Sequence, residues 1–261
     1  MAQSKPLKID VRRSAILEAL GRESRVRVSQ LAEQFGATVV TIRNDLAALE
    51  RDGFLQRVPG GAVQTVKNYY SLDYNSRKQN NAELKQVVAQ KAAELVNDGE
   101  TLLINSGITT HFLANALKAK KGLNIVTNSL TVAMELGTHV GFRVILLGGE
   151  VNVQYAFTYG SDAMEQARRY KADKAILSID GVAAMEGLTT YHAEEAVVDR
   201  VMMERARATI VVADETKLGK ESFSYICGLE NIHTLVTSAG ASDEVLSALG
   251  AACPQIILTE T

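Results

Sequence analysis

Apolar side chains recur at helical spacing in three short segments of the first sixty residues, and glycines separate the segments. The pattern predicts a helix over residues 10–20, a short second helix capped by Ser29, and a third helix that begins after Thr38 and closes at Gly53. The apolar positions that define the three buried faces are Val11, Ile16, Leu17 and Leu20; Leu31, Ala32 and Phe35; and Ile42, Leu46 and Leu49.

The second and third helices predict a helix-turn-helix, because a tight turn containing Gly36 joins them. Residues 54–63 alternate around Pro-Gly-Gly and predict a hairpin, the wing of a winged helix-turn-helix. We expect Arg43 and Asn44 to reach base edges. Ser29, Thr41 and Arg57 are expected to contact phosphates, with the minor groove as an alternative for Arg57, and Thr38 is a further candidate for DNA binding. A three-helix bundle with a wing is also compatible with a protein-protein module.

Residues 64–80 are polar without a sustained period and predict a linker, so the domains are expected at 1–63 and 81–261. The second domain alternates apolar strands with helices. This predicts an α/β fold with a mainly parallel sheet covered on both faces. The predicted strands are 101–104, 123–127, 142–147, 175–179, 209–213, 234–237 and 255–258, and the predicted helices are 82–96, 111–117, 129–136, 161–170, 194–206 and 243–249.

Composition excludes several classes of protein. The chain has 261 residues, 46% of them hydrophobic, and no run of about 20 apolar residues that a membrane span requires. No signal peptide precedes the first helix, so we expect a cytoplasmic protein without membrane contact. Two cysteines and four scattered histidines make neither a disulfide framework nor a metal-ligand spacing, and no cofactor is expected.

Charge is distributed unevenly although the net charge is only −2. Residues 1–62 contain ten Lys or Arg and seven Asp or Glu, hence +3, and the remainder contains 18 and 23, hence −5. A basic front on an acidic body is typical of a nucleic-acid module that precedes a ligand domain, although solvated charge is the simpler explanation.

Polar and glycine residues follow each predicted strand of the second domain. Ligands of open α/β sheets bind at the carboxyl ends of the strands, so these residues are expected to form an effector site. Glycines permit close backbone approach, hydroxyls and amides supply donors, and Lys217 supplies a positive charge, which together suit a phosphorylated sugar or polyol. The candidate residues are Asn105, Ser106, Gly107, Thr109, Thr110, Asn128, Gly148, Gly149, Asp180, Gly181, Thr189 and Lys217.

Each of these residues also has a structural explanation. Ser106, Thr109 and Thr110 could cap a helix, Gly148 and Gly149 could form a turn, and Lys217 could be solvated. A catalytic role is a further alternative, because Asp180 at a strand end could act as a base, and His192 with Glu194 and Glu195 at the start of the next helix supplies a His/Glu pair for proton abstraction.

The first domain resembles the DeoR family of bacterial transcriptional regulators. The resemblance rests on Thr41-Ile42-Arg43-Asn44-Asp45-Leu46, on Gly53 and Arg57, and on Gly60-Gly61-Ala62. The second half is similar to the sensor domain of the same family in several motifs. These are Ser106-Gly107 with Thr109-Thr110, Val126 to Leu130, Gly148-Gly149, Asp180-Gly181, Gly187 with Thr189-Thr190, and Ala213-Asp214 with Lys217 and Gly219.

The resemblance implies a sensor domain with the fold of ribose-5-phosphate isomerase and glucosamine-6-phosphate deaminase. It implies a repressor of a carbohydrate or polyol utilisation operon that binds operator DNA as a homo-oligomer, responds to a phosphorylated sugar or polyol, and is not an enzyme. Two alternatives stay open: a sugar-phosphate isomerase or deaminase with an accessory DNA-binding domain, and a DNA-binding protein whose second domain serves only oligomerisation.

Overall fold

The computed structural model describes residues 9–23, 25–65 and 74–259. Two compact units divide the chain, one ending at Ala82 and the other beginning at Glu83. The described elements of the first unit are helices α1 (Ile9–Glu23), α2 (Val28–Gln34), α3 (Val39–Arg51) and α4 (Tyr74–Gln79) and strands β1 (Arg25–Arg27), β2 (Leu55–Val58) and β3 (Gly61–Gln64).

The first unit is a winged helix-turn-helix, as the sequence predicts. Its helices α1, α2 and α3 enclose an apolar core that includes Ile16, Leu20, Ile42 and Leu46. Strands β2 and β3 form the wing, and β1 adds a third antiparallel strand along β3 that the apolar pattern does not predict. Only three residues make up β1, too few for an alternating pattern to identify a strand.

Two predicted features of this unit are wrong. Ser29 is not the N-cap of α2, because the helix already begins at Val28 and Arg27 occupies the cap. The predicted linker 64–80 contains structure at both ends, since Gln64 ends β3 and residues 74–79 form α4. The Asn80 side-chain amide donates to the Gln64 Oε1 atom at 3.1 Å and so ties the residue after α4 to β3.

The second unit contains helices α5 (Ala82–Glu94, from the unit boundary), α6 (Ile108–Leu117), α7 (Leu130–Gly137), α8 (Ser161–Arg168), α9 (Ala193–Arg205) and α10 (Asp243–Gly250). Its strands are β4 (Thr101–Ile104), β5 (Asn124–Thr127), β6 (Arg143–Leu146), β7 (Glu150–Asn152), β8 (Phe157–Tyr159), β9 (Ala172–Ser178), β10 (Gly181–Ala183), β11 (Gly187–Thr190), β12 (Ala206–Val212), β13 (Ser224–Cys227), β14 (Thr234–Thr237) and β15 (Ile256–Leu258).

Seven strands form one sheet in the order β15-β14-β12-β9-β4-β5-β6, and every neighbouring pair is parallel. Successive strand residues face opposite sides of the sheet, so Leu103 belongs to one apolar core and Leu102 and Ile104 to the other. The predicted α/β fold with a parallel sheet covered on both faces is confirmed.

The strand order of the sheet indicates where a candidate ligand cleft lies. From β4 the chain proceeds outward to β5 and β6 and then returns to β9 on the other side of β4. The crevice at this switch in direction, at the carboxyl ends of β4 and β9, is where open α/β sheets bind ligands. Two smaller antiparallel sheets, β7-β8 and β10-β11-β13, lie outside the predicted pattern.

Candidate nucleic-acid interface and ligand site

The start of helix α3 is fixed by Thr38, whose side chain accepts a hydrogen bond from the Thr41 backbone N–H at 3.1 Å. The Thr38 and Thr41 hydroxyls are also hydrogen-bonded to each other at 2.9 Å. Arg43 and Asn44 follow on the exposed side of the helix. Both side chains therefore stand where the first turns of a recognition helix meet base edges.

Helix α3 is held against α1 by a buried charged group. The Asp45 carboxylate accepts from Arg12 Nε at 2.5 Å and from Arg13 Nε at 3.1 Å, and Asp45 is 1% exposed. Two charge-assisted hydrogen bonds compensate the burial of this carboxylate. Asp45 is therefore a structural residue that sets the orientation of α3.

Arg57 on the wing is bonded to helix α3. Its backbone N–H donates to Glu50 Oε1 at 2.8 Å and its Nε to Glu50 Oε2 at 2.6 Å, while half of its side chain stays exposed. Arg57 thus braces the wing in addition to the phosphate contact that the sequence predicts. Ser29 lies exposed on α2, where a phosphate contact is sterically open.

The ligand cleft begins at Asn105, the first residue after β4. Its Oδ1 atom accepts from the Ser178 N–H at 2.8 Å, and its Nδ2 atom donates to the Ser178 carbonyl at 2.9 Å and to Asp199 Oδ1 at 3.0 Å. These bonds engage the amide fully, and the residue is 0% exposed. Asn105 therefore has a structural role in place of the predicted ligand contact. Its side chain joins the end of β4 to β9 and α9.

Ser106 and Gly107 form the short loop between β4 and α6. A Cβ atom on Gly107 would lie 2.5 Å from Ser178 Cβ, so only glycine allows the loop to approach the end of β9 so closely. Helix α6 begins at Ile108, three residues earlier than the predicted start at His111, which places Thr109 and Thr110 in its first turn. The N–H groups of this first turn have no acceptors within the helix and suit an anion.

Asp180 and Lys217 meet at the carboxyl ends of the neighbouring strands β9 and β12. The distance from Lys217 Nζ to Asp180 Oδ1 is 3.7 Å. The other carboxylate oxygen of Asp180 accepts from the Thr190 hydroxyl at 3.0 Å and from the Tyr191 N–H at 2.9 Å. The predicted approach of these two charged residues is therefore present in the structure.

Further lysines make this end of the sheet rich in charge. Lys85 Nζ lies 3.4 Å from the Oδ2 atom of Asp214, the second residue after β12. Burial favours the protonated carboxyl, but the positive charges of Lys85 and Lys217 and the two hydrogen bonds from Thr216 together outweigh it and lower the pKa of Asp214. Partial burial of its amine and the charge of Lys217 lower the pKa of Lys220. An anionic ligand would relieve the repulsion between the last two lysines.

The hairpin β7-β8 brings aromatic side chains to the same cleft. The Ser106 hydroxyl donates to the Tyr155 carbonyl at 3.4 Å, and the Tyr155 ring lies 4.3 Å from the His192 ring, centroid to centroid. His192 is the N-cap of α9, and its ring is also 5.6 Å from that of Phe157. The hairpin therefore contacts both the loop that follows β4 and the N-terminus of α9.

Four predicted ligand residues serve other elements. Gly148 and Gly149 follow the edge strand β6, about 14 Å from β9 at three strand spacings. At Gly149 a Cβ atom would lie 2.3 Å from the Tyr159 carbonyl, so this glycine allows the hairpin to close. Asn128 holds the same hairpin through bonds to Thr158. The Thr189 hydroxyl accepts from the Ser222 N–H at 2.8 Å and donates to Gly181 within the β10-β11-β13 sheet.

Sequence reasoning missed the threonine that contacts Asp180, because Thr190 rather than Thr189 faces it. The Thr190 hydroxyl lies 3.0 Å from Asp180 Oδ2 and 3.1 Å from Glu195 Oε2. It also missed Tyr155, Lys85 and Lys220, and the spacing of these residues from the strand ends gives no signal. Among the described residues, no three His, Cys, Asp or Glu side chains are grouped to hold a metal ion. No described helix is long and apolar enough to cross a membrane.

Comparison with known proteins gives matches in both units. Residues 12–67 match the DeoR-like helix-turn-helix domain, and residues 80–239 match the DeoR C terminal sensor domain. The HTH-type transcriptional repressor GlcR of Bacillus subtilis is 31% identical over 223 residues, which cover 85% of this chain and 86% of that protein. The Glycerol-3-phosphate regulon repressor of Escherichia coli is 29% identical over 238 residues, covering 91% and 94%. Ribose 5 phosphate isomerase A from Neisseria gonorrhoeae superposes with a TM-score of 0.40 at 21% identity, covering 54% of each chain.

Proposed function

Because this chain belongs to the DeoR family and is a transcriptional regulator, we propose that it represses a carbohydrate or polyol utilisation operon and senses a phosphorylated sugar or polyol. The observation that carries the sensing proposal is the position of Lys217. Its ammonium group lies 3.7 Å from Asp180, which follows β9 at the switch point of the sheet, and helix α6 begins just after the neighbouring strand β4.

The cleft offers complementary groups for such a ligand. Lys217, Lys220 and the N–H groups of Thr109 and Thr110 would hold the phosphate, and Asp180 would accept hydroxyl groups. The Escherichia coli relative is named for glycerol 3-phosphate, a compound of this class.

We interpret the cleft as a sensor and not as a catalytic site. Asp180 is the strongest candidate for a base, but its carboxylate already pairs with Lys217 and accepts from Thr190 and Tyr191. Both carboxylate oxygens of Asp180 therefore already have partners within the protein. The rival isomerase or deaminase reading predicts turnover of a pentose or hexosamine phosphate that Asp180→Asn abolishes.

Operator binding is proposed to occur through α3 and the wing, with two copies of the chain on one site. A symmetric pair of recognition helices reads half-sites one or more helical turns apart. The effector would change operator affinity by binding the two states of the protein unequally.

A thermal-shift screen with paired ligands tests the sensing function. Each phosphorylated sugar or polyol, such as glycerol 3-phosphate or ribose 5-phosphate, is compared with its unphosphorylated parent. A specific ligand at a hundred times its Kd stabilises the native state by about 2.7 kcal/mol. We expect one phosphorylated compound to raise the melting temperature, its parent to have no effect, and Lys217→Ala to remove the shift.

Lys171→Ala is the matched control, because Lys171 precedes β9 at the opposite end of the sheet. It should keep the shift. If no phosphorylated compound stabilises the protein, or if the Lys217 variant responds normally, the sensing proposal is wrong. If the ligand changes the affinity for operator DNA, operator DNA must change the affinity for the ligand by the same factor, because coupling between the two sites is reciprocal.

A further inference from the structure

Helix α3 exposes apolar side chains where it would meet DNA. Val40 is 64% exposed and Val39 is 40% exposed, whereas Ile42, Leu46 and Leu49 on the same helix are at most 5% exposed. An exposed valine contributes little to folding, because the surface that would stabilise the fold on burial stays in water. The position of Val40 on the helix therefore decides what it can do.

Val40 lies at the centre of the outward face of α3. Together with Asn44, Ala47 and Arg51 it follows the spacing i, i+4, i+7 and i+11, which places the four residues in one stripe along the helix. Leu49, on the buried side, points almost opposite to Val40 at about 100° per residue. Any partner that docks on the outward face meets Val40 between Arg43 and Asn44.

Resting on the proposed DNA-binding function, we infer that Val40 packs against the C5-methyl group of a thymine in the major groove of the operator. Only thymine presents a methyl group there, and a valine side chain has neither donor nor acceptor for the polar edges of the other bases. The neighbouring Asn44 is suited to the N6 and N7 atoms of adenine. Each half-site is thus expected to contain a T·A pair next to the pair that Asn44 or Arg43 contacts.

The geometry of the helix start makes this contact specific. Thr38 and Thr41 fix the first turn by two hydrogen bonds, so the backbone of Val40 is held in place. A β-branched side chain on a helix has one strongly preferred χ1 rotamer, so its methyl groups have a defined direction. Because the side chain is already restricted, little conformational entropy is lost when it contacts a base. This favours a contact that distinguishes thymine from the other bases.

Replacement of thymine by uracil tests the inference, since it removes only the methyl group. Operator sequences are selected from randomised duplexes with the full chain, and each thymine of the selected site is then replaced singly. Kd values are measured by fluorescence anisotropy at one fixed salt concentration, because phosphate contacts make affinity salt-dependent. We expect one thymine per half-site whose replacement weakens binding about fourfold, the effect of losing one buried methyl contact.

Val40→Ala removes the contact from both copies of the chain. It should therefore bind the thymine duplex about as weakly as the unaltered chain binds a duplex with that thymine replaced by uracil in both half-sites, and it should no longer distinguish thymine from uracil. Val39→Ala is the matched control, because Val39 is outside the stripe, and it should keep the discrimination. If the unaltered chain binds a selected sequence but no thymine shows this dependence on Val40, the inference is wrong. The same result is expected if the outward face of α3 docks a protein instead of DNA. If the unaltered chain selects no sequence at all, the proposed function fails with it.

Discussion

Asn105 and Asp199 are hydrogen-bonded to each other beneath the ligand cleft, although 94 residues separate them in the chain. The Asn105 Nδ2 atom donates to Asp199 Oδ1 at 3.0 Å, and both residues are 0% exposed. The second carboxyl oxygen of Asp199 is also buried and has no hydrogen-bond partner among the described residues. Helix α9 is thereby linked to the loop that follows β4 through a carboxyl group that water does not reach.

This carboxyl group makes stability depend on pH. Burial raises the pKa of Asp199 to about 8; the negative charge of Asp180 adds to this, while the Asn105 hydrogen bond and Arg200 oppose it. Between the unfolded pKa near 3.8 and about 8, the folded state therefore keeps a proton that the unfolded chain releases. The contribution of Asp199 to the free energy of unfolding is therefore highest below the unfolded pKa and falls as the pH rises across that window.

Asp199→Asn should remove this dependence, because asparagine keeps the acceptor for Asn105 and carries no charge. At pH 8 we expect the variant to be more stable than the unaltered chain by a few kcal/mol, and the difference to shrink steadily as the pH falls from 8 to 5. Urea unfolding of the second unit across pH 5 to 8 measures this. Glu204→Gln, at an exposed residue of the same helix, should leave the pH profile unchanged. Identical pH profiles for Asp199→Asn and the unaltered chain would contradict the assignment.

Gly107→Ala should damage the ligand cleft by overpacking. Its Cβ would lie 2.5 Å from Ser178 Cβ and 2.6 Å from Ser178 Oγ, so the loop and the end of β9 must separate. We expect a loss of about 1–3 kcal/mol in stability and a weaker thermal shift with the effector. Ser178→Gly in the same chain should restore part of both. At Gly137 an added Cβ meets nothing within 4 Å, and Gly137→Ala should not destabilise.

Asp45→Ala should unfold the first unit while the second unit stays folded. Removing this carboxylate leaves the 7% exposed Arg12 without its charged partner on α3, and breaking a buried pair of this kind costs about 3–5 kcal/mol. Operator binding should be lost, whereas the effector should still stabilise the second unit. Glu33→Ala, at an exposed site on α2, serves as control. Normal operator binding by the Asp45 variant would show that the pair does not hold α3.

Sequence periodicity predicts those parts of the fold in which a long apolar face is buried. The strands that form the parallel sheet are apolar runs, and each is recognised on its own. Strands β7, β8, β10 and β11 are short, and each combines apolar residues with glycine or polar residues, so neither an apolar run nor a period identifies them. The hairpin that carries Tyr155 to the cleft is missed for that reason.

Site residues are harder to predict than elements, because their roles depend on register and on distant partners. Thr189 and Thr190 are adjacent in β11 and therefore face opposite sides, so a shift of one residue exchanges the one that meets Asp180. Asn105 occupies the expected strand end, but its amide is bonded to Ser178 and Asp199. Only the three-dimensional structure identifies these partners, since they lie 73 and 94 residues away.

Arg43→Ala should weaken binding to the selected operator by about 1–3 kcal/mol and relax the sequence preference at one base pair, because an arginine on a recognition helix donates to both guanine acceptors. The exposed side chain is not needed for folding, so the melting temperature should be unchanged. Arg169→Ala, at an exposed arginine that pairs with Glu165 in the second unit, should bind as the unaltered chain does. If Arg43→Ala instead weakens binding equally on every DNA sequence, and the slope of log Kd against log salt concentration falls by about one, Arg43 contacts a phosphate. That outcome would leave Asn44 and Val40 as the base-reading residues of α3.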